Sequence, residues 1–263
     1  MYTLRRNIAR EPAVTVVGAG GTGGFVAEGL CRMLAPQVKI ILVDHDRVEE
    51  RNLLRQNFYH DEIGMFKSQA LAERLARRYR RAVGWSVTPY GLQYRRYYGS
   101  ETTGSPIIIG CVDNAQARAG IAESVSPTQW WIDAGNGENW GQVLIGNSPR
   151  NYLREIAFSE AEQICWRLPF PTIQHPELLS PPPAEEVQPM SCAELMDTGD
   201  QDPTINQAMA AVVLQVVRRL VLGTCPWMAL YLDLEKGTLN PVLATPEGVA
   251  RITGMRVSQL VRR

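Results

Sequence analysis

The sequence predicts an α/β fold, a Rossmann-like, mostly parallel sheet flanked by helices, and three observations carry this. A β-branched run, Ala13-Val14-Thr15-Val16-Val17, ends in the glycine cluster Gly18-Ala19-Gly20-Gly21-Thr22-Gly23. Apolar residues then recur at helical spacing (Phe25, Val26, Leu30, Met33, Leu34), and a second apolar run, Lys39-Ile40-Ile41-Leu42-Val43, stops at Asp44. Further short apolar runs follow at 106–112, 130–134 and 142–145, the pattern of strands buried on both faces.

Taken in order, the first strand, turn, helix and second strand make a βαβ unit. Residues 65–81 read as a helix rich in arginine: Arg74, Arg77, Arg78, Arg80 and Arg81. A solvated face explains such a run more readily than a phosphate- or partner-binding patch. Trp85-Ser86-Val87-Thr88-Pro89 is a candidate strand. The run at 106–112 is a buried strand ending at Asp113, and the Trp130-Trp131 pair of the next strand belongs to a core or an interface. Pro169, Pro171, Pro176, Pro181, Pro182, Pro183 and Pro189 argue against regular structure in 166–190, which reads as a long, mobile surface loop. A long helix covers 203–223, with Asp202 or Thr204 as cap and Gly223 as terminator. Residues 228–242 alternate around Lys236-Gly237 as an antiparallel hairpin. A short helix with a basic tail follows from Thr245. The expected organisation is a single domain over 1–263: a nucleotide-binding core at 12–165, a proline-rich crossover loop at 166–190, and a helix with an antiparallel extension at 191–263.

With 263 residues, 45% of them hydrophobic, the chain can bury a substantial core. Lys+Arg and Asp+Glu both number 27, so net charge gives no argument for nucleic acid or an anionic membrane as partner. No long apolar run follows the basic start, Met1 to Arg6, so a signal peptide is not expected. The longest apolar stretch, 208–222, is interrupted by Gln215, Arg218 and Arg219 and reads as too short and too charged to span a bilayer. Five dispersed cysteines, Cys31, Cys111, Cys165, Cys192 and Cys225, form no disulfide framework and point to a reducing, cytoplasmic setting. No CxxC pair is present, so zinc is not expected.

The glycine cluster follows a strand and opens a helix. Glycines there allow a tight turn and close backbone approach, and the helix N-terminus offers free N–H groups to phosphates. Asp44, closing the second strand, is placed to accept from a ribose hydroxyl. These features fit NAD and ATP alike. The run from Asp44 and Asp46 to Asn52-Leu53-Leu54-Arg55-Gln56 favours a triphosphate: Asn52 can donate from its amide, and Arg55 can fork onto phosphate oxygens. Lys67 adds a point charge near a helix start, and Asp113, at a strand's C-terminal end, is a natural Mg²⁺ ligand.

The ordered set resembles the ThiF/MoeB/ubiquitin-activating enzyme family, which carries GxGGxG, DxD, NLxRQ, GxxK and CxDN segments. Here these are Gly18 to Gly23, Asp44 with Asp46, Asn52 to Gln56, Gly64 to Lys67, and Cys111-Val112-Asp113-Asn114. A later stretch, Asp133 to Gly137 leading to Gly141-Gln142-Val143, looks like the family's GxGQV strand. The resemblance covers 12–223. It implies nucleotide contacts from Gly18, Gly20, Gly21, Gly23, Asp44, Asp46, Asn52, Arg55, Gln56 and Lys67, with Mg²⁺ on Asp113. The implied reaction is attack of a peptide C-terminal carboxylate on the α-phosphate of ATP, giving an acyl-adenylate and pyrophosphate. The implied partners are a small ubiquitin-like or sulfur-carrier protein and a second copy of the chain in a homodimer. Cys192, after the proline-rich loop, is placed like the family cysteine that takes the acyl group; an ordinary buried thiol is the competing reading.

Two departures stand out. The paired cysteines that hold zinc in many members are reduced to single Cys165 and Cys225. The arginine that reaches a neighbouring subunit's site has only Arg5, Arg6 and Arg10 as candidates. Both departures resemble the compact bacterial ThiF-related proteins of the PRTRC cassette type. His45, His60 and His175 receive no role. The alternatives to adenylation are an NAD(P)-dependent oxidoreductase and a catalytically silent nucleotide-binding scaffold.

Overall fold

A computed structural model describes residues 1–6, 13–91, 107–154, 157–180 and 203–262. The main sheet is built from β2 (Ala13–Val17), β3 (Lys39–Val43), β4 (Val83–Ser86), β5 (Ile107–Gly110), β6 (Trp130–Asn136), β7 (Trp140–Gly146), β10 (Trp227–Asp233) and β11 (Thr238–Leu243). Its order is β11-β10-β7-β6-β5-β2-β3-β4. The five strands from β6 to β4 run parallel, and β7, β10 and β11 continue the sheet antiparallel. The expected fold class and its antiparallel extension are therefore what the chain forms. Four two-residue strands make a second, small sheet: β1 (Thr3–Leu4), β8 (Phe158–Ser159), β9 (Ile164–Cys165) and β12 (Val261–Arg262). The basic tail is thus partly strand, paired with β8.

Helices α1 (Gly21–Met33), α2 (Lys67–Tyr79) and α5 (Pro203–Leu222) cover one face of the main sheet. Ile205, Met209, Val213, Val216, Val217 and Leu220 line the buried stripe of α5. A Cβ on Gly21 would meet Asn206, and one on Gly29 would meet Leu214. The equal eight-residue steps show that α1 and α5 run parallel, with their N-termini side by side. Residues Thr204–Leu222 are long and apolar enough, by length and composition, to cross a membrane. That corrects the reading of this stretch as too short. In the fold this helix packs as a core element against α1, β6 and β7.

Helices α3 (Ala115–Ser124) and α4 (Pro171–Gln174) lie on the other face, where Trp131 meets Phe170 edge-on at 5.9 Å. The proline-rich segment is therefore not a surface loop throughout. Leu168, Phe170, Pro171 and Thr172 are buried, and a 3₁₀ turn covers Pro176–Leu179. Pro171 and Pro176 each open a helical turn, the one helical position where proline loses nothing. His175 fastens this turn to β10, with Nδ1 2.6 Å from Glu177 Oε1 and Nε2 2.7 Å from the Tyr231 hydroxyl. Residues 181–190, like Asp202, lie outside the described residues, and Thr204 sits inside the first turn of α5, not at its cap. Gly223 ends α5 at φ +70°. The turn at Lys236-Gly237 joins β10 to β11, and Thr245 caps the last helix, α6 (Pro246–Thr253).

The arginine-rich helix is less solvated than its composition suggests. Arg74 pairs with Glu62 at 3.0 Å, and buried Arg81 donates to the Cys31 and Leu34 carbonyls at the end of α1. Arg77, Arg78 and Arg80 are exposed. The candidate strand at 85–89 lies two residues earlier, as β4, and stops at Ser86.

Candidate functional site

Strand register assembles the site. Val17 pairs with both Val43 and Gly110, and Gly110 pairs with Asp133, so β3, β2, β5 and β6 reach one level together. Immediately beyond it come Asp44, the glycine loop and the Cys111-to-Asn114 loop, at the sheet edge where open α/β folds bind ligands.

The glycine loop is shaped by close approach. Gly18 has φ +90°, and a Cβ there would lie 2.3 Å from the Cys111 carbonyl oxygen; one on Gly23 would lie 1.9 Å from the Gly18 carbonyl oxygen. Gly20 instead faces the Gln56 amide, with its nearest atom 3.7 Å from such a Cβ. The N-terminus of α1 has no side-chain cap, which leaves its first N–H groups toward the loop's open side.

Asp44 holds that loop in place. Its Oδ2 accepts the Ala19 N–H at 2.6 Å, and its Oδ1 accepts the Asp46 N–H at 2.8 Å. Burial raises its pKa, against the opposing pull of those two amides and of Lys67. A carboxylate has about four lone-pair sites, so acceptor capacity remains for a ligand hydroxyl.

The cations are differently disposed. Lys67 opens α2 with a side chain only 10% exposed, and its Nζ lies 3.2 Å from Asp46 Oδ2. Arg55, among the described residues, has no ion-pair partner, while its carbonyl accepts from Asn206 Nδ2 at 3.3 Å. Asn52 is buried, and its Oδ1 accepts the Glu49 N–H at 2.9 Å, which leaves the amide nitrogen as its outward donor. Gln56 Oε1 is buried without a hydrogen-bond partner, next to Gly20. Asp113 is exposed; its Oδ1 accepts from Asn114 Nδ2 at 3.2 Å, and Asn114 caps α3 through Ala117. The side chains of Asp44, His45 and Asp46 also lie close together.

Cys192 and Arg10 lie outside the described residues. Arg5 sits at the strand-start end of the sheet, stacked over Trp166, with its carbonyl accepting from Trp130 Nε1 at 2.9 Å. Cys111, Cys165 and Cys225 are free thiols whose pKa is raised by burial, Cys225 to about 11.

Two features escaped the motif reading. Beneath the site, Arg118 Nε lies 3.2 Å from Asp133 Oδ2; this pair is buried, and burial pushes Asp133 up to about 6 despite the arginine. Asn206, on the apolar stripe of α5, is 1% exposed and bonds to the glycine loop. A carboxamide on an otherwise apolar helix face was the available signal.

A profile of the ThiF family matches residues 5–236. Ubiquitin-like modifier-activating enzyme 5 of Rattus norvegicus is 33% identical over 142 residues, covering 49% of this chain and 34% of that protein. The protein of the same name from Oryza sativa subsp. japonica is 29% identical over 147 residues, covering 49% and 33%. The chain thus spans about a third of the length of these curated relatives. Two solved structures share its fold: PaaA, at TM-score 0.60 and 17% identity over 89% of this chain and 73% of that one, and E. coli MccB with ATP, at 0.54 and 16% over 88% and 62%. Its family profile, ordered motifs and sheet topology agree, and the chain belongs to the ThiF family.

Proposed function

We propose that the chain adenylates the C-terminal carboxylate of a small ubiquitin-like or sulfur-carrier protein with ATP. The observation that carries this reading is Arg55, a cation without an ion-pair partner among the described residues, held by its backbone beside the uncapped start of α1. Such a pairing suits the oxygens of a polyphosphate. The relatives' printed names and the ATP in the MccB structure support the same chemistry.

In this reading the glycine-loop amides and α1 receive the phosphates, Arg55 and Lys67 neutralise their charge, and Asp44 accepts from the ribose. Lys67 would exchange Asp46 for a phosphate oxygen. The substrate carboxylate attacks the α-phosphorus, the bond to the bridging oxygen breaks, and pyrophosphate leaves. That carboxylate is ionised at neutral pH, so the protein supplies no general base. The exposed Asp113 carboxylate, a hard oxygen donor at the strand ends, fits Mg²⁺, which when bound would supply charge neutralisation at the phosphates. Cys192 is proposed as acceptor of the activated acyl group. We further infer a homodimer acting in the cytoplasm, without structural zinc.

Pyrophosphate exchange into ATP, measured with the co-purifying carrier protein, tests this. Asp113→Ala should lower exchange by roughly a thousandfold, and Arg55→Ala and Lys67→Ala should lower it less. Cys192→Ala should retain exchange and lose only a thiol-sensitive adduct on non-reducing gels. Undiminished exchange in Asp113→Ala would refute the metal role.

A further inference from the structure

Asn206 occupies the first turn of α5, 1% exposed, at a point where three separate parts of the site meet. Its Oδ1 lies 3.2 Å from the Thr22 hydroxyl in the glycine motif and 3.4 Å from Asn136 Nδ2 at the end of β6. Its Nδ2 donates to the Arg55 carbonyl at 3.3 Å. Thr22 Oγ1 is also 3.2 Å from Asn136 Oδ1, so the single hydroxyl proton is shared between two carboxamide oxygens. A Cβ on Gly21 would come within 2.6 Å of the Asn206 carboxamide, so the glycine there is what lets α5 approach α1 this closely.

This network bears on the polyphosphate end of the site. Arg55 belongs to the loop that follows β3, and the phosphate-facing amides belong to the loop that follows β2. Asp44 ties the start of the first loop to Ala19 in the second, and Asn57 ties its far end to Glu28 on α1; between them the Arg55 segment is still to be fixed. Asn206 fixes it from a third element, using its acceptor for one loop and its donor for the other. A buried carboxamide with both ends engaged has one orientation, so it sets register as well as proximity.

We propose that Asn206 is a positioning residue for the nucleotide, holding the Arg55 loop at a fixed distance from the glycine loop. This rests on the ATP reading above. Asn206 itself need not touch the nucleotide.

The test is a double-mutant cycle on the full chain, reading the dissociation constant for Mg·ATP by calorimetry beside a melting curve for each variant. Asn206→Ala should weaken Mg·ATP binding by about tenfold in the wild-type background. In an Arg55→Ala background, where the guanidinium to be positioned is gone, the same substitution should cost less than about threefold. Equal losses in both backgrounds would show that Asn206 acts on the fold at large, and would overturn the proposal. Unchanged affinity in Asn206→Ala would overturn it too. Should Asn206→Ala fail to fold, Thr22→Val goes through the same cycle, and equal losses or unchanged affinity there would overturn the proposal in the same way. If the wild-type chain binds no Mg·ATP, the functional reading fails first, and that result is distinct from a wild type that binds and a variant that binds equally well.

Discussion

At the scale of single residues, Gly18 shows how narrowly the loop is specified. Its φ of +90° and the 2.3 Å separation of a Cβ from the Cys111 carbonyl act together. Gly18→Ala should therefore destabilise the chain by about 3 kcal/mol, read as a lower urea midpoint. An unchanged midpoint would mean that the loop relaxes freely. Gly20 faces only a flexible side-chain amide, so Gly20→Ala is the mild control. The glycines, Asp44 and Asp113 stood out because they sit in ordered motifs at strand ends, and Asn52, Arg55 and Lys67 because their motifs follow in a fixed order. Asn206 did not, because its place on the apolar face of α5 marks it as buried but not as the residue that joins two loops. The tie of Asp44 to Ala19 and the pairing of Lys67 with Asp46 were not legible, because they depend on where separate segments come together.

Among elements, the pair between Arg118 on α3 and Asp133 on β6 joins the helix after Asp113 to the neighbouring strand. Both side chains are buried, so Arg118→Met should strand a carboxylate and cost about 3–5 kcal/mol at neutral pH. The pH dependence has a definite sign. Burial holds Asp133 at about 6, above its ordinary 3.8, so the folded chain binds this proton more tightly than the unfolded chain. Its contribution is greatest below pH 4 and is lost as pH rises toward and through 6. Asp133→Asn should flatten that part of the stability profile in urea titrations between pH 4 and 7; an unaltered slope would contradict the assignment. The strands were legible as apolar runs. The antiparallel turn from β6 into β7 was not assigned from sequence, since a run buried on both faces carries no mark of direction. The helical turns at Pro171 and Pro176 were misread for a different reason: proline density argues against helix interiors and says nothing against helix starts.

For the whole molecule, the eight-stranded sheet and the parallel α1–α5 pair bring the glycine loop, Asp44 and the start of α5 to one edge of the fold. The overall fold was legible because a buried parallel sheet needs β-branched runs, and their glycine and acidic ends fall in a fixed order. The second, four-stranded sheet was not, since its two-residue strands join the chain's first residues to its last. The proposed two-fold assembly should give twice the 29.3 kDa chain mass in light scattering at micromolar concentration, and a monomer would count against it. The most direct test of the central claim is calorimetric titration of the chain with ATP and Mg²⁺, and separately with NAD. Saturable ATP binding that Arg55→Ala weakens, with little heat from NAD, is the predicted result. Tight NAD binding without an ATP signal would contradict the adenylation reading.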